Sequence, residues 1–502
     1  MDTARAPEGD APYIQLRQIG DRVECAGPTT CLFGTKIEST DHAPPDGVFA
    51  EWTWDDHRLL ARNDRYGCYP LYYVTGPGAI ALSPSIPTLL NLGASRDFDD
   101  AAFAVFLRLG HCLGDDTLFA HIRALPPNAE LTWHDGQLQI RGGSVQPQSS
   151  QMTRAAAMDG LTMLLRQAVR RRVPPSDDFA VSLSGGEDSR HIVFALCEIG
   201  RRPRCIIYES WWGQLRHDES VAAAVARELR LEHVVLRGHG SPLRAELRKN
   251  LLTGFGSYRH PQVLLLRDRL PAGITTIFDG LAGDLARCES LNPGNVSLMQ
   301  AGRFEALARN ILDTIGDRMT SVLSEPLRRR FTADAAIARL TAELARHADA
   351  PNPIGSYVFW NLIRREIALA PLLLASVVRH THVPYLDHDL YDHVASLPAA
   401  MLMDHRLHYD AIARAYPQYA AIPFATGAMA WSHRWHVRRF ALELLPYLSR
   451  APSQFVRRPL VAMHLAQTIV SGWPGTLARL GPHPEKLARL THLLQLERLL
   501  AE

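Results

Sequence analysis

A nine-residue segment, Val181 to Ser189, constrains the fold more than any other part of the sequence. It reads Val-Ser-Leu-Ser-Gly-Gly-Glu-Asp-Ser. The apolar run Phe179 to Leu183 is typical of a buried strand, and Ser189 to Glu198 has the apolar spacing of a helix. A strand that ends at two glycines and leads into a helix is the order found at nucleotide sites in α/β folds. We therefore expect an α/β domain in this region.

The flanking residues predict further units of the same kind. Ala155 to Arg172 reads as a helix before the strand. Cys205 to Tyr208 and His233 to Leu236 read as two more strands, with a helix from Glu219 to Leu229 between them. Strands that alternate with helices form a parallel sheet, so we expect a doubly wound domain. Beyond Arg303 the pattern is helical, and its clearest segments are Phe304 to Ile315, Ala335 to His347 and Tyr357 to Val378.

The first part of the chain has a different pattern. Between Tyr13 and Ile140, glycines and prolines separate short apolar runs that read as strands, namely Leu59 to Ala61, Leu71 to Val74 and Ala79 to Leu82. A polar stretch rich in Gly, Ser, Gln and Pro, Gly142 to Gln151, then marks a boundary. Since 502 residues are too many for one ordinary core, we expect one domain over residues 1–145 and a second over residues 152–502.

Composition excludes several classes of protein. A hydrophobic content of 46%, a charged content of 21% and a net charge of +2 are typical of a globular protein and predict no nucleic-acid partner. The seven cysteines are scattered without a CxxC pair, which favours neither a disulfide framework nor a zinc site and fits a reducing compartment.

The longest apolar run, Ile367 to Val378, contains Pro371 and is too short to cross a bilayer. The polar start, Met1 to Ala11, lacks the pattern of a signal peptide. We expect a cytoplasmic protein without a membrane partner.

The residues of the glycine turn predict phosphate binding. Gly185 and Gly186 allow backbone N–H groups to face an anion, and the following helix adds unpaired N–H groups and a positive dipole end. Ser184 and Ser189 add hydroxyl donors, and Asp188 is placed to hold the Mg²⁺ that accompanies a triphosphate. A Walker sequence is absent, so transfer of a γ-phosphate by a P-loop mechanism is not supported. A triphosphate accompanied by Mg²⁺ is therefore the ligand that these residues predict.

The Ser-Gly-Gly-x-Asp-Ser segment resembles the pyrophosphate loop of the N-type ATP pyrophosphatases, which implies cleavage of ATP between its α and β phosphates. Other segments extend the resemblance to the asparagine synthetase family over nearly the whole chain. They are Arg62 to Gly67 with Pro70 to Tyr73, Thr117 to Phe119 with Ile122, Leu125 and Pro126, Asp218 and Glu219 with Ala226 and His233, Phe278 to Asp284, and Pro384 to Asp387 with Leu397 and Pro398. In Phe278 to Asp284 the acidic glycine loop of the family carries one inserted residue, and its final Glu is replaced by Leu285.

The resemblance implies a fold and a reaction. It implies an N-terminal domain like that of the Ntn (N-terminal nucleophile) hydrolases, with αββα layers, followed by a HUP-like ATP-pyrophosphatase domain with a helical C-terminal part. The implied enzyme is an AMP-forming carbon–nitrogen ligase that adenylates a carboxylate and condenses it with an amine. The ATP-binding residues it implies are Leu183, Ser184, Gly185, Gly186, Asp188, Ser189, Tyr208, Asp279 and Gly280, although Leu183 and Tyr208 also read as core residues.

Catalytic roles follow from the same comparison. Asp188 and Asp284 are the predicted Mg²⁺ ligands. His380 or His382 is a candidate base for the attacking amine, because imidazole titrates near neutral pH, although either also reads as a packed or solvated histidine. Arg379 is a candidate to stabilise the departing pyrophosphate, with a surface ion pair as the alternative. Glu366 is a weaker candidate base.

Departures from the family pattern narrow the function. Glutamine-dependent members expose a cysteine after the initiator Met, whereas Asp2 stands there and the nearest cysteine is Cys25. We expect a domain that is inactive toward glutamine and acts as a structural partner or binds substrate. A similar combination occurs in β-lactam synthetases and in lasso-peptide macrolactam synthetases, in which the substrate supplies its own amine.

Several functions stay open at this point. Ring closure of a lasso peptide is the first hypothesis, with a precursor peptide as the carboxylate-bearing substrate and a peptidase as a partner. The second is an ammonia-dependent asparagine synthetase-like or glycan-amidating enzyme, and the third is a non-catalytic binding relative. A β-lactam synthetase is disfavoured by the absence of a Tyr from Asp279 to Asp284, by His380 at a Glu position, and by the lack of lysine between Lys249 and Lys486.

Overall fold

The computed structural model describes residues 11–38, 44–209, 215–238, 240–288, 290–315, 319–374, 380–425, 433–449, 453–471 and 485–501. These residues form three five-stranded sheets with helices around them. The first two sheets are antiparallel and the third is parallel. The α/β fold class expected from the sequence is confirmed.

The two antiparallel sheets stack on each other through alternating apolar residues. The first has the strand order β2-β1-β7-β6-β8 and the second the order β10-β9-β5-β4-β3. Leu16 and Ile80 of the first sheet and Trp52, Ala61 and Leu131 of the second are buried in one core cluster. The strands are β1 (Ile14–Ile19), β2 (Arg22–Ala26), β3 (Thr30–Ile37), β4 (Asp46–Trp54), β5 (Arg58–Asn63), β6 (Tyr72–Gly76), β7 (Ala79–Ser83), β8 (Arg123–Ala124), β9 (Glu130–His134) and β10 (Gln137–Arg141).

Helices cover the outer face of the first sheet, as in the αββα layers of Ntn hydrolases. Helix α1 (Ile86–Asn91) and helix α2 (Asp100–Leu109) bury Leu89 and Phe103 against Ala81 of β7. Asp99 caps α2 by accepting a hydrogen bond from the Ala102 N–H, and Gly110 ends it with a φ of 87°.

The third sheet has the order β13-β12-β11-β14-β15, and its strands are parallel. They are β11 (Phe179–Ser182), β12 (Arg204–Tyr208), β13 (His233–Leu236), β14 (Thr276–Phe278) and β15 (His380–His382). Ala180 and Ile206 face one core cluster, whereas Val181, Ile207 and Phe278 face the other. Because both faces are buried, the strands read as continuous apolar runs.

The strand order reverses at β11, which lies between β12 and β14. In open parallel sheets, ligands bind in the crevice at the carboxyl ends of the strands where the order reverses. The segments that follow β11 and β14 are the two glycine-containing loops of the sequence, and the fold therefore places them side by side.

Helices flank the sheet and make up most of the C-terminal part. They are α3 (Arg154–Arg172), α4 (Asp188–Glu198), α5 (Leu215–Glu228), α6 (Pro242–Leu252), α7 (Val263–Arg269), α8 (Pro293–Gln300), α9 (Phe304–Ile315), α10 (Glu325–Arg330), α11 (Ala333–Ala345), α12 (Pro353–Tyr357), α13 (His388–Ala395), α14 (Ala399–Leu402), α15 (Leu407–Ala415), α16 (His433–Ser449), α17 (Arg458–Ser471) and α18 (Glu485–Ala501). No helix in the described ranges is both long and apolar enough to cross a membrane.

One expected helix differs from the structure. The sequence predicts a helical segment from Tyr357 to Val378, and its described part forms π-helical turns over Val358–Ile367 and Ala370–Leu374, while 375–378 lie outside the described residues. A π-helix is rare and occurs mostly within α-helices, so a helical sequence pattern predicts an α-helix by default. Within it, Arg364 is buried and donates hydrogen bonds to the carbonyl oxygens of Gly67, Gly114 and Leu125. This arginine ties the parallel-sheet part of the chain to the antiparallel sheets.

Candidate active site

The serines of the glycine turn after β11 hold its shape. The Ser184 N–H donates to Ser189 Oγ at 2.9 Å, and the two serine hydroxyls lie 3.1 Å apart. The Gly186 N–H donates to Ser184 Oγ at 3.2 Å. The turn is thus closed by its own side chains, and its hydroxyls are gathered at the start of α4.

The two glycines of the turn meet very different surroundings. A Cβ atom at Gly185 would lie 2.5 Å from Ala425 Cβ and 2.8 Å from Asp218 Oδ1, whereas one at Gly186 would meet only Ser184 Oγ, at 3.3 Å. The Ala425 N–H donates to the Gly185 carbonyl oxygen at 3.0 Å. Gly185 is therefore clamped between α5 and the segment that follows α15.

Helix α4 begins at Asp188, and no side chain of Glu187 caps it. The first N–H groups of a helix have no partner within the helix, and the dipole makes this end positive. An uncapped helix start beside two hydroxyl groups is suited to bind the outer phosphates of a nucleotide.

The loop after β14 packs directly on this helix start. A Cβ atom at Gly283 would lie 2.3 Å from Asp188 Cγ, and one at Gly280 would lie 3.1 Å from Asp188 Cβ. Ala282 has a φ of 69°, a conformation that favours glycine. Only small residues at 280 and 283 allow the Asp188 carboxylate to lie between the two loops.

The acidic residues of the second loop differ in exposure. Asp279 accepts a hydrogen bond from the Leu281 N–H at 2.9 Å, and burial together with nearby Asp188 raises the pKa of this carboxyl. Asp284 is the second residue of a short 3₁₀ turn, Gly283–Ala286, and its side chain is exposed. Asp279 therefore shapes the loop, while Asp284 is accessible to a ligand.

The remaining residues predicted for the site are distributed unevenly. Leu183 is 1% exposed and packs in the core, whereas Tyr208 is partly buried at the end of β12 and close enough to Asp279 for that carboxylate to raise the tyrosine pKa, after burial as the larger cause. Arg379 lies outside the described residues. Of the two described residues, Leu183 and Tyr208, it is Tyr208 that has a position suited to border a bound nucleotide.

The two candidate histidines lie on β15 at the edge of the sheet. Their rings are parallel, with centroids 6.0 Å apart. Burial, with Arg172 nearby, lowers the pKa of His382 to about 3, so this imidazole is neutral at pH 7 but a weak base. His380 pairs with Thr276, at the end of β14 opposite to the loops. Neither histidine combines the position and the basicity expected of a general base.

Glu366 lies away from the loops, in a buried ionic cluster. It accepts a hydrogen bond from Ser257 Oγ at 2.7 Å, and its other oxygen is 3.7 Å from Arg259 Nε. Lys249 and Glu246 form a fully buried ion pair close by. These contacts give Glu366 a structural role.

Three residues without a predicted role contact the loops, and a fourth, Arg190, contacts the segment that clamps Gly185. Asp218 accepts a hydrogen bond from the Gly185 N–H, which lowers its pKa against the larger raising effect of burial. Tyr385 donates to the Asp188 carbonyl oxygen at 3.0 Å, and His408 Nδ1 lies 3.2 Å from Asp188 Oδ1. Arg190 donates to the carbonyl oxygens of Ile422 and Pro423. Asp218 and Tyr385 belong to segments already noted for the resemblance, whereas Arg190 and His408 carry no pattern in the sequence.

An open surface pocket of about 650 Å³ lies beside both loops and is lined by Glu187, Arg287, His405, Arg406 and Tyr409. Arg287 Nη1 lies 3.9 Å from Glu187 Oε1, and His405 Nδ1 is 3.1 Å from the Arg287 carbonyl oxygen. The pocket is large enough for an amino-acid-sized group and opens beside the helix start at Asp188.

The donor set fits Mg²⁺ bound together with phosphates. Mg²⁺ in such sites takes one or two carboxylates, with phosphate and water oxygens completing six positions. Among the described residues no group of three or more His, Cys, Asp and Glu side chains is placed to hold a metal ion alone. Asp188 and Asp284 are the two carboxylates predicted from the sequence for such a site, and their residue type fits a phosphate-bound Mg²⁺.

No cysteine of the chain is activated as a nucleophile. Burial raises the pKa of all seven thiols, including those of Cys25 and Cys31 in the antiparallel sheets. A reactive cysteine requires a lowered pKa, so none of these thiols is suited to attack glutamine.

Comparisons with known proteins agree with this arrangement. The glutamine amidotransferase domain model matches residues 39–142, and the asparagine synthase model matches residues 160–465. Comparison with curated proteins finds no match.

Among solved structures, the chain is similar to glutamine phosphoribosylpyrophosphate amidotransferase from B. subtilis complexed with ADP and GMP, with 10% identity over 47% of this chain and 65% of that chain, at a TM-score of 0.17. It is also similar to the allosteric regulatory enzyme of purine biosynthesis, with 11% identity over 38% of this chain and 47% of that chain, at a TM-score of 0.15. The chain thus spans less than two thirds of the length of either protein. The asparagine synthase match covers more than half of the chain and supports an enzyme of the ligase type, so the chain belongs to the asparagine synthase family.

Proposed function

We propose that the protein activates a carboxylate with ATP, releasing pyrophosphate, and then joins the acyl group to an amine, releasing AMP. The observation that carries this proposal is the packing of the Asp188 carboxylate against Gly283, which brings the loops after β11 and β14 together at the reversal of strand order. A glycine turn with two hydroxyls, a helix start and two carboxylates is the donor set that a magnesium nucleotide requires.

In the first step an oxygen of the substrate carboxylate attacks the α-phosphorus, and the bond to the β-phosphate oxygen breaks. Ser184, Ser189 and the N–H groups at the start of α4 bind the two outer phosphates. Asp188 and Asp284 would hold Mg²⁺, which would neutralise negative charge on the two outer phosphates. In the second step the amine nitrogen attacks the acyl carbon, AMP leaves, and the nitrogen loses one proton.

The amine comes from a source other than glutamine hydrolysed by this chain, because burial raises the pKa of every thiol. We propose that the substrate is a peptide that supplies both reacting groups, so that the product is a macrolactam of the lasso-peptide kind, with a peptidase as a partner. The ion pair between Arg65, which follows β5, and Asp392 of α13, with 2.7 Å between Arg65 Nη2 and Asp392 Oδ1, fits a structural role for the antiparallel sheets. An ammonia-dependent amide synthetase uses the same first step.

The proposal is tested by incubating the full chain with ATP, Mg²⁺ and candidate carboxylates, and separating the nucleotides. AMP and pyrophosphate are the expected products, and ADP as the sole product would overturn the proposal. Asp188→Ala should abolish AMP release. Asp159→Ala is the matched control, because Asp159 is exposed on α3 and pairs only with the exposed Arg414 among the described residues.

The amine source is tested in a second set of reactions. A linear peptide with a free N-terminus and an acidic side chain should lose the mass of one water and give a cyclic product that resists aminopeptidase. Formation of an amide only when ammonia is added would support the ammonia-dependent enzyme instead. Glutamate release from glutamine would contradict the assignment of the thiols.

A further inference from the structure

The core beside the phosphate-binding turn contains polar side chains that the proposed reaction does not use. His191 on α4 and His408 on α15 are both fully buried, and His191 Nδ1 lies 3.1 Å from His408 Nε2. Tyr385 Oη is 3.3 Å from the same His408 nitrogen. Burying polar groups costs free energy unless they are hydrogen-bonded, so such a cluster is retained only where its members support one another.

The opposite edge of the His408 ring faces the two carboxylates of the turn. His408 Nδ1 lies 3.2 Å from Asp188 Oδ1 and 3.9 Å from Glu187 Oε2. The 3.2 Å approach is within ion-pair distance, but Nδ1 makes no aligned hydrogen bond among the described residues. Hydrogen bonds in ligand-free active sites are often misaligned and shorten when the ligand binds.

The contacts assign the protons of the cluster. The Tyr385 hydroxyl donates to the Asp188 carbonyl oxygen at 3.0 Å. A carboxylate only accepts hydrogen bonds, so the His408 nitrogen that faces Asp188 is the protonated one. His408 Nε2 then accepts, and His191 Nδ1–H is its donor. This assignment leaves His191 Nε2 without a proton, which fits the lack of a partner for that atom among the described residues.

We propose that His408, fixed in its tautomer by His191, is a positioning residue that holds the Asp188 carboxylate between the two loops for metal binding. This inference rests on the proposed function, because it takes Asp188 to bind Mg²⁺ as proposed above. Groups that orient a metal-binding carboxylate typically contribute about 10- to 100-fold to metal affinity.

The test compares two amides at position 408. The nitrogen of an asparagine occupies the place of imidazole Nδ1, whereas that of a glutamine approaches the place of Nε2. ATP affinity is measured by calorimetry on the full chain, once with Mg²⁺ and once with a chelator. His408→Gln should lower the Mg²⁺-dependent gain in ATP affinity by about tenfold, and His408→Asn should keep most of it. ATP affinity without metal should be the same in both variants.

A third variant separates positioning from packing. His492 on α18 is also fully buried, lies between Phe106 and Phe255, and has no hydrogen-bond partner among the described residues. His492→Phe should leave the Mg²⁺-dependent gain unchanged. Equal losses in His408→Gln and His408→Asn, or no loss in either, would overturn the positioning role. If the wild-type chain neither binds ATP nor forms AMP, the proposed function itself fails, and the two failures are thus distinguishable.

Discussion

Arg172 Nη1 lies 2.7 Å from Asp387 Oδ2, and both side chains are only 1% exposed. Arg172 also bonds Asp46 of β4, so one guanidinium joins the end of α3, the start of α13 and the antiparallel sheets. Asp387 in addition caps α13 by accepting a hydrogen bond from the Asp389 N–H. The last residue of the Pro-Tyr-Leu-Asp segment therefore has a structural task.

Replacement of this carboxylate should destabilise the protein strongly. Asp387→Ala should lower the free energy of unfolding by about 3 to 5 kcal/mol, because it leaves Arg172 buried with a reduced set of partners. Urea unfolding followed by circular dichroism measures the change. Arg171→Ala is the control: Arg171 also pairs with Asp387 but is 42% exposed, so its removal should cost less than about 1 kcal/mol.

The Arg172–Asp387 ion pair should also make the free energy of unfolding depend on pH in the acidic range. Burial alone would raise the pKa of Asp387, but Arg172 and Arg171 lower it overall. A carboxyl with a lowered pKa stabilises the fold above its unfolded value, near pH 4, and this contribution is lost as the pH falls further. Asp387→Ala should therefore show a shallower loss of stability below about pH 4 than the wild-type chain.

Asp64 should produce the opposite pH dependence in a different range. Burial raises its pKa from 3.8 to about 6, although four backbone N–H groups, of Tyr69, Tyr66, Cys68 and Phe49, favour the ionised form. A raised pKa means that the folded chain binds the proton more tightly, so this stabilisation is present below about pH 4 and is lost as the pH rises to about 6.

The measurement is the difference in unfolding free energy between the wild-type chain and Asp64→Asn. As the pH rises from 4 to 7, the wild-type chain should lose about 3 kcal/mol of unfolding free energy relative to Asp64→Asn, since one pKa unit corresponds to about 1.4 kcal/mol. Asp55→Asn is the control, because backbone hydrogen bonds lower the pKa of the exposed Asp55 and its titration lies below this range. A constant difference between pH 4 and 7 would contradict the raised pKa.

The neighbouring glycines of the turn should respond differently to a methyl group. In Gly185→Ala the new Cβ would meet Ala425 and Asp218 at 2.5 and 2.8 Å, so the turn must shift and AMP formation should fall at least about tenfold. In Gly186→Ala the nearest atom is a serine hydroxyl at 3.3 Å, and activity should stay within about threefold of wild type. Separation of AMP from ATP measures both variants. Equal changes of activity in the two variants would show that the close packing of Ala425 and Asp218 on Gly185 is unimportant.

The sequence predicted the central strands well because they are apolar and buried on both faces. His233 to Leu236 and Phe304 to Ile315 have the expected bounds, and the strands at Phe179 and Cys205 differ from the structure by one residue at one end. Strand β15 could not be found in this way, since its sequence is His-Thr-His. Its pairing depends on β14 and on the hydrogen bond from the Thr381 N–H to Thr35 Oγ1 of β3, which are tertiary contacts.

The residues of the candidate site likewise fall into those set by local sequence and those brought in by tertiary contacts. Ser184, Gly185, Asp188 and Ser189 follow from a local motif, because the turn and the helix start are made by consecutive residues. His408 is more than two hundred residues further along the chain than Asp188, and no local spacing connects them. Glu366 shows a second limit of sequence reasoning. A buried glutamate that binds substrate and one that pairs with an internal arginine have the same sequence pattern.

Arg190 provides the last prediction, which concerns the segment over the turn. Its guanidinium is buried, lies 3.8 Å from the Phe424 ring centroid and donates to the Ile422 and Pro423 carbonyl oxygens at 3.1 and 2.6 Å. Ala425, which follows Phe424, donates its backbone N–H to the Gly185 carbonyl oxygen. Arg190 therefore fixes the segment that contacts Gly185. A lysine lacks the planar fork needed for two carbonyls and for stacking on a ring. Arg190→Lys should therefore raise the KM for ATP about tenfold with a smaller change in kcat. Arg414→Lys, at an exposed ion pair with Asp159, is the matched control and should leave both constants unchanged. An unaltered KM in Arg190→Lys would show that the turn keeps its shape without this anchor.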